Sequence, residues 1–586
     1  MKRCPECRRD YHDDTLLFCL DDGSALLEGP ASESDPDIEP ATAILAETDS
    51  PNEPATRSIN RTTEETAVLT PGAGSDDQGS SKHISEAHRS PAHRAAKPLI
   101  IAAVAAVVLI GGYFGLGYLR SGGSGPISSI AVLPFENRSS DDDTEYLSDG
   151  LAESLIFRLT QLPDLKVSPA SSVMRYKGKE TDVAKIAAEL GVDAVMTGRL
   201  TKRGDDLNIT VELVDARNNR SLWGEQYKRK MSELLSTQRE IAAAIAEKLQ
   251  VRLTSDPAKG IEKKYTENND AYQLFLKGRY HFARRTKDDF RKAIGYYRQA
   301  LELDPDFAVA HVGIADAYNV APANQVLSGN EALPLAKAAA ERALAIDPSL
   351  AGAHSALAVS LAFYDRNWAE SEREFKKAIE LDPNVAEIHY YYGLHLLRPT
   401  GRLDEAIREI KRALELEPLS IPFGANLVFT YGAAEQKRQA LEVAQKTYSL
   451  DPNHPHIIGA LGFAYVENEM YSEAIGLFEK TRTGNSNQID CRSFIGVAYA
   501  RTGQREKAEE TITRCREESK TRFVGHWATA LIYVALGERD KAFADLERSL
   551  AEGDTDVSLL KVSTWAAPLR GDPRFGDLLK RMNLSE

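Results

Sequence analysis

Apolar residues along this 586-residue chain change their spacing several times, and each change marks a different kind of structure. Residues 98–120, PLIIAAVAAVVLIGGYFGLGYLR, are almost uniformly apolar, and Leu99 to Leu119 carries no charge. At about 1.5 Å per residue that run reaches roughly 32 Å, enough for a hydrocarbon core of about 30 Å, and it predicts one transmembrane helix. Beyond a Gly/Ser spacer the pattern is mixed. SSIAVLPFENRS reads as a strand, and Leu151, Leu155, Ile156 and Leu159 have the spacing of an amphipathic helix. DLKVSPAS reads as a short second strand, and DVAKIAAELG as a helix stopped by Gly191. Leu207, Ile209, Val211 and Leu213 alternate with polar residues, which predicts a half-buried strand in a hairpin turning at Gly204-Asp205. RSLWGEQYKRK adds a strand and Ser232–Leu253 a long helix. The order β-α-β-α-β-β-β-α over residues 126–256 predicts a mixed sheet with helices packed on it.

From Ala271 onward the spacing is helical throughout and it repeats. LELDP ends at Pro305, LAIDP at Pro348, IELDP at Pro383, LELEP at Pro418 and YSLDP at Pro452. The first interval is the longest. The later ones keep close to a period of about 34 residues with Pro just after a helix, which is the tetratricopeptide (TPR) signature. Within one unit, Leu461, Gly462 and Tyr465 lie on the first helix, and Ala474 and Phe478 on the second. Small residues let the two helices approach while the large ones fill the space between repeats. Further units without the terminal Pro bring the count to about eight over residues 271–552, an all-α solenoid. The long first interval carries an insertion near VAPANQVLSGN. Residues 553–586 break the period and are expected to cap the stack.

Composition then sets limits. A net charge of −15 argues against nucleic acid as a partner held by bulk electrostatics. Five cysteines exclude a disulfide-dense scaffold, but three of them, Cys4, Cys7 and Cys19, cluster at the N-terminus. Cys4-Pro-Glu-Cys7 has the spacing of a zinc knuckle, Cys19 supplies a third thiolate, and Asp22 stands where a fourth cysteine is usual. His12 competes with Asp22 as fourth ligand. Residues 1–27 resemble the short zinc ribbons at the N-terminus of many bacterial membrane proteins, which implies a structural Zn2+. Residues 28–97, rich in Ser, Thr, Pro, Asp, Glu and Ala, read as a disordered linker. Arg89, Arg94 and Lys97 precede the apolar run, and only Arg120 follows closely, so the positive-inside rule keeps the N-terminus cytoplasmic and exports the remainder. A reducing cytoplasm agrees with zinc thiolates. Gly111 and Gly115 form a small-xxx-small pair that offers a homodimer contact between two such helices.

The stretches IAVLPFEN, EYLSDGLAESL, AAELGVDAVMTGRL and LWGEQY resemble the domain at the N-terminus of TolB and its FlgO-like and CsgG-like relatives. That resemblance implies an extracytoplasmic α/β module of envelope assemblies, without chemistry of its own. PLRGDPRFGDLLKRM resembles the ending of bacterial proteins that pair a TolB-like domain with TPR repeats, some of which carry a cytoplasmic kinase or cyclase. Here a zinc module takes that place. There is no Gly-rich phosphate loop, no kinase catalytic-loop pattern and no HExxH, so the chain is expected not to be an enzyme.

The expected partner surface is the concave face of the solenoid. His389, Tyr390, Tyr391, Tyr392 and His395 form its richest run of aromatic and imidazole groups; some are expected to pack between repeats and others to face the groove. His389 and His395 are on different faces of a helix and do not suit a shared metal. Cys491 and Cys515 are equally far from the turn at Gly503, so an antiparallel hairpin sets them side by side. They either close a disulfide outside the cytoplasm or remain two buried thiols. The sum of these readings is a membrane-anchored protein-interaction scaffold of the bacterial inner membrane, single-pass with a periplasmic C-terminal region. The alternative is a transmembrane regulator that relays binding outside to the zinc module.

Overall fold

The computed structural model describes residues 2–3, 10–11, 27–28 and 127–585, apart from 140–143, 161, 163–164, 180–181, 250–264, 285 and 483–489, and without the side chains of 2–3, 10–11, 27–28 and 481–493. At the N-terminus three short strands, β1 (Lys2–Arg3), β2 (Asp10–Tyr11) and β3 (Leu27–Glu28), form an antiparallel sheet in the order β2-β1-β3. In the strand register Lys2 pairs with Tyr11 of β2 and with Glu28 of β3. Cys4, Cys7, His12, Cys19 and Asp22 lie outside the described residues, as do the linker beyond Glu28 and the apolar segment 98–120. Among the described residues no helix is long and apolar enough to cross a membrane.

The α/β domain is built on β4 (Ser129–Val132), whose four residues are all buried. It lies between two parallel neighbours, which is why it reads as continuously apolar rather than alternating. The sheet order is β6 (Lys166–Val167), β4, β7 (Ala194–Arg203), β8 (Asp206–Asp215) and β9 (Arg220–Lys230), with the short β5 (Glu136–Asn137) also paired to β7. β7 and β8 meet at Gly204, whose φ of 59° suits the tight turn. Leu207, Ile209, Val211 and Leu213 all point into the core. The helices are α1 (Glu145–Thr160), α2 (Ala170–Val173), α3 (Val183–Leu190) and α4 (Leu234–Lys248). DLKVSPAS splits: its strand ends at Val167, and Pro169 sits at the cap of α2, where a missing N–H costs nothing. The side chain of Asp182 caps α3, and Gly191 ends it at φ 64°.

Among the described residues, sixteen helices follow in eight antiparallel pairs. They are α5 (Asn269–Arg284) with α6 (Lys287–Leu303), α7 (Ala308–Val320) with α8 (Gly329–Ile346), α9 (Ala351–Phe363) with α10 (Trp368–Leu381), and α11 (Ala386–Tyr391, continuing to Thr400) with α12 (Leu403–Leu416). Then come α13 (Ile421–Ala433) with α14 (Lys437–Tyr448), α15 (Pro455–Glu467) with α16 (Tyr471–Arg482), α17 (Asp490–Arg501) with α18 (Arg505–Glu518), and α19 (Trp527–Ala535) with α20 (Arg539–Glu552). The recurring Asp-Pro punctuation has a visible cause. Asp304, Asp347, Asp382 and Asp451 each accept the backbone N–H two residues on, at 3.0–3.2 Å, and so set the turn into the next helix. Six residues after three of these prolines a histidine closes the turn from the other side. His311, His354 and His389 reach the carbonyls of Pro305, Pro348 and Pro383 at 3.1, 3.0 and 3.0 Å.

The α/β domain and the array share one core. Tyr272 and Leu276 of α5 belong to the same buried cluster as Leu151 and Leu155 of α1. The Tyr272 hydroxyl lies 2.7 and 2.6 Å from Ser154 and Gln238, and Arg279 pairs with Glu153 at 3.0 Å. The C-terminal residues do more than cover the last repeat. After turns at Thr555–Lys561 and Ala567–Leu569 and a final helix α21 (Pro573–Arg581), they join the middle of the array. Trp368 Nε1 donates to Met582 O at 2.9 Å, Asn583 Nδ2 to Arg366 O at 3.1 Å, and the N–H of Gly329 to Gly553 O at 3.1 Å.

Candidate functional site

This closure turns the concave face into a chamber of about 2540 Å³. Its walls come from α1, the segment Lys166–Lys179 and α5 on one side, from the first helices of successive repeats, and from Asp554–Trp565 of the C-terminal segment. Aromatic rings line much of it: Phe429, Phe463, Phe494 and Trp565 contact one another with centroids 5.1–5.7 Å apart.

The run His389–His395 divides between packing and chamber. His389 faces away: Nδ1 lies 2.7 Å from Glu409 and Nε2 holds the Pro383 carbonyl. Tyr392 also packs, donating to Glu372 at 3.0 Å, and burial with the nearby carboxylate pushes its phenol up. Tyr390, Tyr391 and His395 line the chamber. Tyr390 stacks on Phe423 at 4.4 Å and accepts from Asn426 Nδ2 at 2.8 Å. His395 meets Phe363 edge-on at 5.3 Å and Tyr391 at 5.4 Å. Burial, with the positive charge of Arg398 adding to it, pushes His395 down to about 3, so its imidazole is neutral at ordinary pH.

The helix that carries them is irregular. Between Tyr392 and Leu397 it takes π winding before continuing as Arg398–Thr400. A π turn rotates the following residues relative to a regular helix and is frequent at functional sites. On its other face Gly393 meets α12 so closely that a Cβ would sit 2.9 Å from Ile410 Cγ1 and 3.1 Å from Ala406 O. Just beyond the π turn comes Arg398, 8% exposed, with no hydrogen-bond partner for Nε. Ser355 on α9 also lines the chamber, 4% exposed, with its hydroxyl unpartnered.

Sequence reasoning passed over Arg398, Ser355 and Glu417. The signal for Arg398 was a lone charge inside the apolar run LHLLRP. The signal for Glu417 was LELEP among repeats that read DP. Its longer side chain leaves the turn and meets the Ser171 hydroxyl of the α/β domain. Cys515 is buried on α18 at 2% exposure; Cys491 is on α17, and its side chain lies outside the described residues. Among the described residues no group of three or more His, Cys, Asp or Glu is placed to hold a metal ion.

The family model for the second domain of HilA/YgeH-like transcriptional regulators matches residues 127–244, and two tetratricopeptide-repeat models match residues 283–307 and 357–421. A curated protein of Rhizobium meliloti named "Putative adenylate cyclase 3" is 30% identical over 242 residues, 41% of this chain. The chain likewise covers 41% of that protein's length. Among solved structures, Pseudomonas aeruginosa PilF is 22% identical with TM-score 0.28, covering 36% of this chain and 94% of its own. The type IV pilus biogenesis factor PilW is 18% identical with TM-score 0.31, covering 39% and 98%. A human IFIT1 dimer with m7Gppp-AAAA is 14% identical with TM-score 0.41, covering 71% and 98%. The helical pairs are tetratricopeptide repeats, joined to a small α/β domain.

Proposed function

We propose that this chain is a single-pass protein of the bacterial inner membrane that serves as an interaction scaffold in the cell envelope. Residues 98–120 cross the membrane, the N-terminus is cytoplasmic, and the TolB-like α/β domain and the TPR array hold partner proteins outside. The role is binding rather than catalysis. The observation that carries this reading is the single body formed by the α/β domain and the repeats, with a common core and one chamber between them. Phosphatase fusions test the topology: activity is expected after Leu119 and none before Lys97, and the reverse overturns it. Crosslinking in cells that express the full chain tests the scaffold, which requires envelope proteins captured in constant proportion under all growth conditions.

Residues 1–27 are proposed to be a structural zinc ribbon. The pairing of β1 with β2 brackets residues 4–9, which carry Cys4 and Cys7, and β3 returns the chain beside β1. Two thiolates two residues apart can turn back onto one tetrahedral ion. Cys19 is the third donor and Asp22 the fourth, with His12 as its competitor. Bound zinc would supply a cross-link and no chemistry.

A second reading, regulation across the membrane, is favoured by the relatives. The matched α/β model is described for transcriptional regulators and the curated relative is named as an adenylate cyclase. Under that reading the proteins captured on the cytoplasmic side change when the exported region is occupied.

A further inference from the structure

Among the described residues, the chamber contains a charge without an ion pair. Arg398 is 8% exposed, forms no ion pair within 4 Å among the described residues, and keeps an unpartnered Nε. Burial lowers the guanidinium and the charge of Asp556 in the C-terminal segment opposes that shift; an arginine stays a cation in a protein. An isolated buried cation is strongly unfavourable unless something supplies the counter-charge. His395, one turn back, is neutral and cannot share the charge with a ligand. Around His395 the wall is aromatic: Tyr391 and Phe363 flank its ring, and Leu394 and Arg398 also line the chamber. Two turns back along α9 from Phe363, the buried Ser355 hydroxyl is also unpartnered. A concave, mostly apolar cavity with a few convergent polar groups is the usual form of a small-molecule site.

We propose that Arg398 anchors a small organic anion, a carboxylate or phosphate carried on a planar apolar body, in the chamber wall formed by Tyr391, His395, Phe363 and Ser355. The guanidinium fork takes the anionic head in two parallel hydrogen bonds, the rings hold the planar body, and Ser355 satisfies a polar group at its far end. The π turn at Tyr392–Leu397 contains His395 and immediately precedes Arg398, and both side chains line the chamber. The inference goes beyond the scaffold reading, because holding proteins in the array requires no small ligand.

Titration calorimetry on the full chain in detergent tests it, with indole-3-acetate, phenyl phosphate and the neutral indole-3-acetamide as probes. At least one of the two anions is expected to bind, and the amide to bind about tenfold more weakly or not at all. Binding of the carboxylate alone or the phosphate alone identifies the head group. Arg398→Met is expected to abolish anion binding and to raise the melting temperature of the unliganded protein, since it removes a buried unpaired charge and keeps the volume. If Arg398→Met does not fold, Ser355→Ala and Tyr391→Leu must each weaken the anion. No binding by either anion at millimolar concentration, equal binding of acid and amide, or an Arg398→Met protein that melts lower and binds unchanged overturns the proposal. Envelope proteins crosslinked to Arg398→Met at wild-type levels separate this result from failure of the scaffold reading.

Discussion

Glu417, on the turn that ends the fourth repeat, accepts a hydrogen bond from the hydroxyl of Ser171 in the α/β domain. It is 2% exposed, and both its burial and the negative charge of Glu387 push its carboxyl well above the ordinary range. The unfolded carboxyl titrates near 4.5 and the folded one higher, so between them the folded chain holds more protons. Stability from this group is therefore complete below about 4.5 and falls as pH rises toward the folded value. Glu417→Gln keeps an acceptor for Ser171 and removes the titration. The variant is expected to melt with the wild type at pH 4.5 and above it at pH 8. Parallel melting curves at both pH values would show that the carboxyl is not strained.

Gly462 lies directly under the ring of Phe478 in the sixth repeat, and a Cβ there overlaps the ring. Gly462→Val is expected to cost about 1–3 kcal/mol in urea unfolding, in line with overpacking of a filled core. Pairing it with Phe478→Leu restores part of that loss, and additive losses in the double variant would mean that the two side chains do not share the space.

Trp368 and Met582, far apart in sequence, are joined by one hydrogen bond of 2.9 Å. Trp368→Phe keeps most of the ring packing and loses the indole donor. Its expected cost is about 0.5–1.5 kcal/mol, concentrated in faster hydrogen exchange of residues 573–585. Uniform acceleration across all repeats would argue against a local clasp.

The zinc assignment predicts one zinc ion bound per full chain. Cys7→Ser is expected to lower the affinity severely, and Asp22→Ala more than His12→Ala. Competition with a chromophoric chelator reads all three, and a larger effect of His12→Ala would exchange the fourth ligand.

The repeats are legible because four of the breaks between them are written twice, as an Asp that caps the turn and a Pro that cannot continue a helix. The strand Asp206–Asp215 is legible because one face is buried, leaving alternation in the sequence. The α/β helices follow from capping residues such as Asp182 and Gly191. What escaped depends on long-range geometry or on small changes of winding. A regular helix through HYYYGLHLL does not tell which of His389 and His395 meets the chamber; His389 is held by Glu409 and the Pro383 carbonyl, and His395, inside the π turn, lines it. Arg398 feels the charge of Asp556, yet the two belong to distant parts of the chain and neither segment alone foretells it. The join of the tail to Arg366 and Trp368 leaves no pattern in either segment alone.

That join changes the mechanics of the array. A stack whose ends are both loose behaves as a spring: it stretches under load, and its terminal units fray first. Here the last units are fastened to the third, so a load applied through the α/β domain meets the tail contacts before the intervening units separate in turn. The array is expected to be stiff up to the force that opens the clasp and soft beyond it, a yield point rather than a gradual extension.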